Sequence, residues 1–223
     1  MHIPLLVVNC IKEEGGVEPQ INAFKNAVFV NSNTRHTLLN ANVLQPDSDE
    51  YVKIGNLGWK LLIDERIPGN SVGLNINQRT HYSTEKDRQI IVEYHPPLPD
   101  RNKLASEILF HVLPNRKHKR IITIEAEQLN HYVREYMEGR IVYFGQPILI
   151  KHGGHNLVCS VGHIQASQLT RLEDLNSPIN CTVITPEIKL CFEPSVFAKE
   201  QLEITGVQNS ISTKVRQIQE LDF

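Results

Sequence analysis

Four residues, His152-Gly153-Gly154-His155, form the tetrapeptide with the most obvious chemical capacity. A two-residue Gly-Gly turn would set the two imidazoles opposite each other across a hairpin, with Cβ atoms about 5 Å apart, close enough to share one zinc ion. Two ligands do not complete a site, and His163 and Cys159 are the nearest further donors in sequence. The plainer reading is a hairpin whose glycines supply positive φ and whose histidines are solvated. A cysteine–histidine nucleophile pair is testable by spacing alone. On an extended strand, Cys159 and His163 share a face but lie about 13 Å apart at roughly 3.3 Å per residue, far beyond a hydrogen bond. His155 and Cys159 have the same separation, so Cys159 reads as a buried packing residue.

The densest charge is the run Arg116-Lys117-His118-Lys119-Arg120. Such a loop suits an acidic protein surface, where it would raise the association rate and make binding salt-sensitive; it also suits plain solvation. Nucleic acid is disfavoured, because no aromatic residues for base stacking interleave with the run. No G-x-S-x-G elbow and no G-x-x-x-x-G-K-[ST] phosphate loop occur, and carboxylates such as Glu13-Glu14 or Glu125 with Glu127 define no acid–base pair. The chain is expected to be no enzyme and to need no cofactor. The alternative is a small metal-binding protein or metal-dependent hydrolase built on His152, His155 and His163. Self-association is a third possibility.

The elements that position these residues divide the chain in two. With 223 residues, 40% of them hydrophobic, 22% charged, and a formal net charge of -2, the composition is that of a globular protein with no global attraction for nucleic acid or anionic membrane. The first residues, MHIPLLVVNC, lack the basic segment and cleavage site of a signal peptide, and no run reaches the roughly 20 apolar residues of a spanning helix. Cys10, Cys159, Cys181 and Cys191 form no CxxC pair, so a reducing, cytoplasmic location without membrane insertion is expected.

Residues 1–95 alternate short strand-like runs (Leu5 to Val8, Ala27 to Val30, Tyr51 to Ile54, Trp59 to Ile63, Ser71 to Ile76, Gln89 to Tyr94) with turn clusters, the pattern of a small barrel or sandwich. Trp59 reads as a core residue of this half. His95-Pro96-Pro97-Leu98-Pro99-Asp100 is a stiff linker, placing a boundary at 96–103. Residues 104–206 read as α+β. Leu104 to Leu113 suits either a helix or a strand, and Arg120 to Ile124 a strand. The clearest helix runs from about Glu125 to Glu138, with Leu129, Tyr132, Val133, Tyr136 and Met137 on one face and Gly139 beyond its end. Strands follow over Ile141 to Ile150, Asn156 to Ile164, Thr182 to Thr185 and Ile188 to Phe192, with a short helix from Ser167 to Leu172. Residues 207–223 form a polar tail.

Three stretches, in order, resemble the N-terminal region of the N-ethylmaleimide-sensitive fusion protein family of AAA+ ATPases, whose wider relatives include valosin-containing protein. The first is EQLNHYVREYMEGRIVYFGQPILIKHGGHNLVCSVGHI, a helix leading to a strand, a Gly145-Gln146 turn, a second strand, a hairpin loop, and a strand ending in Val161 to Ile164. The second is TVITPEIKLCFEPSVFAKEQLEITG, with its apolar-x-Phe-Glu step at Leu190 to Glu193; the third is IPGNSVGLNINQRTHYSTEKDRQIIVEY. The resemblance spans about residues 54–206. It implies a double-psi β-barrel for residues 1–95, then a small α+β domain, the pair capturing the adaptor (SNAP) that bridges the ATPase to SNARE complexes. A ubiquitin-pathway adaptor is the wider family's counterpart. Hexamers would be expected only if ATPase ring domains follow the tail. The proline-rich linker and the HGGH loop depart from the family pattern. The expected partner-binding residues are Arg116, Lys117, Lys119 and Arg120.

Overall fold

The period-two alternation of the first strand is direct: in β1 (His2–Asn9), Leu5 and Val7 are buried while Leu6 between them is exposed. The computed structural model describes residues 2–9, 24–45, 50–96, 105–116, 120–166 and 179–206. In the first half follow β2 (Val28–Val30), β3 (Tyr51–Ile54), β4 (Leu57–Ile63), β5 (Ser71–Leu74) and β6 (Gln89–Tyr94). They close into a barrel of order β1-β5-β2-β4-β3-β6. Two pairings, β1 with β5 and β2 with β4, are parallel, and the rest are antiparallel. Closure leaves no free edge, and Leu5, Val7, Val30, Val52, Trp59 and Val72 fill the interior. Trp59 is the core residue expected; its Nε1 donates to the Tyr82 hydroxyl, whose own acidity burial suppresses.

Two helices in this half escape the apolar periodicity. α1 (Ser32–Asn40) buries only Thr34 and Leu38, and α2 (Ile76–His81) occupies the place where a strand was expected to reach Ile76. Both are set by their caps. Asn31 Oδ1 accepts from Thr34 N at 2.8 Å, and Asn75 and Gln78 form a reciprocal capping box at 2.8 and 2.9 Å. Gln78 is fully buried, and its Nε2 also donates to the Ala27 carbonyl at 3.1 Å, fastening α2 to the foot of β2.

The second half centres on β7 (Ala105–Pro114), which resolves the ambiguous Leu104 to Leu113 segment as a strand. β7 lies between β11 (His155–Ala166), antiparallel to it, and β13 (Lys189–Pro194), parallel, with β10 (Pro147–His152) outside β11. A central strand is buried on both faces, so its near-continuous apolar run imitates helical spacing. α3 (Ala126–Met137) turns Leu129, Val133 and Met137 into the core, with Tyr132 and Tyr136 partly buried beside them, and Gly139 follows at φ +73. The expected strand from Ile141 to Ile150 is two: β9 (Ile141–Tyr143) and β10, divided at Gly145-Gln146. β9 pairs with β12 (Cys181–Val183), and β8 (Ile122–Glu125) pairs in parallel with β14 (Leu202–Thr205). The expected helix over 167–172, the tail 207–223 and most of the 96–103 linker lie outside the described residues. The chain is mainly β with one closed six-stranded barrel, and among the described residues no helix is long and apolar enough to cross a membrane.

Candidate partner-binding surface

The hairpin β10–β11 places His152 directly opposite His155, with Gly153 at φ 51 and Gly154 at φ 83. Consecutive left-handed residues are what a tight two-residue hairpin demands, and glycine takes them without strain. The third proposed ligand is elsewhere. His163 is exposed and lies opposite Leu109, eight residues along β11 from His155, about 26 Å at the strand rise. Among the described residues no group of three or more His, Cys, Asp or Glu is placed to hold a metal ion. This corrects the expectation of a site built on His152, His155 and His163: one long strand carries two of the three ligands to separate places. The His152 ring lies 5.9 Å from that of Tyr132, and its buried Nδ1 has no hydrogen-bond partner.

Two of the three described thiols, all of them buried, are poor nucleophiles. Cys159 is fully buried between Ile148 and Val112, and burial pushes its thiol pKa up. Cys191 is pushed up to about 11, by burial first and then by the nearby Glu107 carboxylate. Cys159 is thus the packing residue its spacing implied.

A cleft of about 660 Å3 opens beside the start of α3, with Glu125, Glu127, Lys189 and Thr205 on its walls. Its charges are already engaged: Glu127 lies in the first helical turn, where the dipole favours an anion, and Lys189 Nζ lies 3.6 Å from Glu107.

The basic run bridges β7 and β8. Its base is tied to the HGGH hairpin by Asn115 N donating to the Asn156 carbonyl at 2.8 Å. Arg116 and Arg120, at its ends, are both exposed, while Lys117 and Lys119 lie outside the described residues.

What holds the two halves together came from residues that the sequence did not single out. β10 is an edge strand, so its outward N–H and C=O groups need partners. Asn26, 2% exposed, supplies them from the barrel side. Its Oδ1 accepts from Leu149 N at 2.7 Å and its Nδ2 donates to Leu149 O at 3.1 Å. Phe24 packs on Leu149 and Val158 next to this bridge. Arg140 donates to the Lys25 carbonyl, and Ile141 N donates to the Tyr51 hydroxyl at 3.2 Å. At the other end of the seam, the His95 ring hydrogen-bonds the Tyr143 hydroxyl and lies 5.6 Å from the Tyr51 ring. Most of these contacts join the barrel side to residues 140–149, from Arg140 through β9 to Leu149 of β10, with Phe24 reaching Val158 of β11 as well. His95 is legible as the residue before the linker prolines; Asn26 carries no local signal, because its partner is 123 positions away.

Burial first, with Lys53 as a lesser contributor, lowers the His95 pKa. A histidine held neutral by the fold binds its proton more readily when unfolded, so its contribution is present above the unfolded value near 6.5 and is lost as pH falls below it. Thermal unfolding scanned from pH 7.5 to 5 is expected to show a loss of stability that His95→Gln reduces; identical pH slopes in both proteins would remove His95 from the account.

No protein-family model matches this chain, and no curated protein matches it.

Proposed function

We propose that the chain is a non-catalytic, cytoplasmic protein-interaction module, similar to the adaptor-capturing N-terminal region of the fusion-ATPase family, with a double-psi barrel as its first half. The observation that carries this reading is the barrel's pairing: two parallel strand pairs, β1 with β5 and β2 with β4, sit within one closed six-stranded ring. The ring leads through His95-Pro96 into a unit of one amphipathic helix and a mixed sheet, in the order of segments on which the resemblance rests. Burial of Cys159 and Cys191 also favours binding as the chemistry of the chain. The partner is an adaptor protein of SNAP type with an acidic face, met by the loop that bears Arg116, Lys117, Lys119 and Arg120.

The deciding experiment is a titration against a SNAP-type adaptor, alone and assembled on a SNARE complex, at low and physiological salt. Salt-sensitive binding that needs the assembled adaptor supports capture for remodelling. Absence of binding in every condition sinks the SNAP reading and directs the search to ubiquitin-pathway adaptors. Lys117→Glu with Lys119→Glu is expected to weaken the complex by about tenfold, mainly through slower association, and to flatten its salt dependence. Unchanged affinity in that variant removes the basic loop from the interface.

A further inference from the structure

The two halves keep separate cores. One is built from residues between Leu5 and Val92 and the other from residues between Ala105 and Leu202, and the chain passes from the first to the second just after His95. What joins them, among the described residues, is mostly polar. Phe24 packs on Leu149 and Val158, while Asn26 bonds Leu149, Arg140 bonds the Lys25 carbonyl, Ile141 N bonds the Tyr51 hydroxyl and the Tyr143 hydroxyl bonds the His95 ring. A small polar interface between two cores opens more readily than either core unfolds.

His95 stands in this interface and is 9% exposed. Its ring lies against Gly58, edge-on to Tyr143 with centroids 5.8 Å apart, and tilted to Tyr51 at 5.6 Å. The titratable and charged groups that face it are Tyr51 and Lys53 from β3 and Tyr143 from β9, with Cys181 of β12 against the same Tyr143 hydroxyl. Lys53 Nζ lies 3.5 Å from Glu93 of β6. Burial, and next the Cys181 thiol, suppress ionisation of the Tyr143 phenol, so its O–H is there to donate to Nε2 of a neutral His95. Backbone groups of His95 and Pro96 hydrogen-bond the ring as well.

We propose that the seam is an acid-sensitive joint: a proton taken up at Nε2 of His95 makes the barrel part more often from β9 and β10 while both cores stay folded. The inference goes beyond adaptor capture and does not depend on it. A neutral Nε2 accepts from the Tyr143 hydroxyl, but a protonated one can only donate. The hydroxyl must then turn its proton away, toward Cys181, and the bond reverses. The imidazolium is left in a buried place whose nearest charge is the cation Lys53, and parting of the two halves returns it to water. The sign follows. Burial lowers the proton affinity of His95, so the closed seam is favoured above the free value near 6.5 and loses that advantage as pH falls below it. One histidine changes the opening equilibrium by at most about tenfold per pH unit.

The test is amide hydrogen exchange of the full chain at about pH 7.5 and pH 5.5, corrected for the intrinsic pH dependence of exchange. The amides of Ile141 and Leu149 report on the seam, because they donate across it to Tyr51 and Asn26. They are expected to be less protected than the core amides of β4 and β7 at both pH values, and to lose protection by up to about tenfold in acid. His95→Gln, which does not titrate, should remove the acid effect. Lys53→Glu tests the same point at a half-exposed position, where folding is not at stake: a carboxylate near the ring lets the closed seam hold the proton, so the acid effect should shrink to less than about threefold. Three results overturn the proposal: seam amides as protected as the cores at both pH values, seam protection that acid leaves unchanged, or an acid effect that persists in full in both variants.

Discussion

Asn26→Ala is expected to destabilise the protein by about 3 to 6 kcal/mol in urea unfolding. The substitution strands two buried backbone groups at once, the N–H and C=O of Leu149, itself 4% exposed. An orphaned buried polar group costs roughly 1–3 kcal/mol. The amide also donates to Phe24 O at 3.0 Å, a bond that shapes the turn into β2. Asn26 further sits at φ 48, a left-handed conformation that asparagine tolerates and that costs alanine roughly 1–2 kcal/mol. Asn26→Gly separates the two contributions, since it relieves the backbone but still removes the amide; it should retain a loss of about 2–4 kcal/mol. Asn26→Asp keeps the acceptor for Leu149 N but turns a carboxylate toward Leu149 O, so it should be most damaging at neutral pH and partly recover when protonated in mild acid. A loss of under about 0.5 kcal/mol in the alanine variant would mean that water, and not the barrel, completes the edge of β10.

Gly58→Ala is expected to be the second severe change. A Cβ at this position would lie 2.5 Å from the His95 ring and 2.7 Å from Cε2 of Tyr143. Both rings belong to the seam and are hydrogen-bonded to each other, so neither can swing away without opening it. Overpacking of this kind costs roughly 1–3 kcal/mol. The diagnosis is specific enough for a double-mutant cycle. If the added methyl acts by colliding with the imidazole, Gly58→Ala should cost at least about 1 kcal/mol less in a His95→Ala background than alone. Strictly additive losses would show that Gly58 is needed for a backbone reason within β3–β4 instead.

The strands and α3 were legible because their signal is local. β1 alternates, β10 and β13 are short apolar runs bounded by turns, and α3 repeats its buried residues at Leu129, Val133 and Met137. The HGGH turn was legible for the same reason, since glycine pairs decide backbone sign by themselves. α1 and α2 were not, because their caps at Asn31 and Asn75 decide them while their apolar content is sparse. β7 was ambiguous because a strand buried on both faces loses the alternation that identifies strands. The surface divides in the same way. A run of five basic residues announces itself, whereas the seam through Asn26, Gly58, His95 and Tyr143 exists only once distant segments meet. Val196-Phe197 lies beyond the strand expected over Ile188 to Phe192, and only the turn after Pro194 reveals that both side chains are exposed.

The order of strands along the chain has a consequence for synthesis on the ribosome. β1 must find β5 and β6, so the barrel lacks its closing pairs until the chain has grown to Tyr94. The second sheet waits longer, since β7 takes β11 and then β13 as its two neighbours and β13 ends at Pro194. From the synthesis of β7 until β11 is complete at Ala166, the barrel can be closed while β7 has no neighbour on either side. The nascent chain therefore passes through a stage in which a ten-residue, largely apolar strand is unpaired on both edges. That stage is when the protein is most exposed to aggregation and most in need of a chaperone.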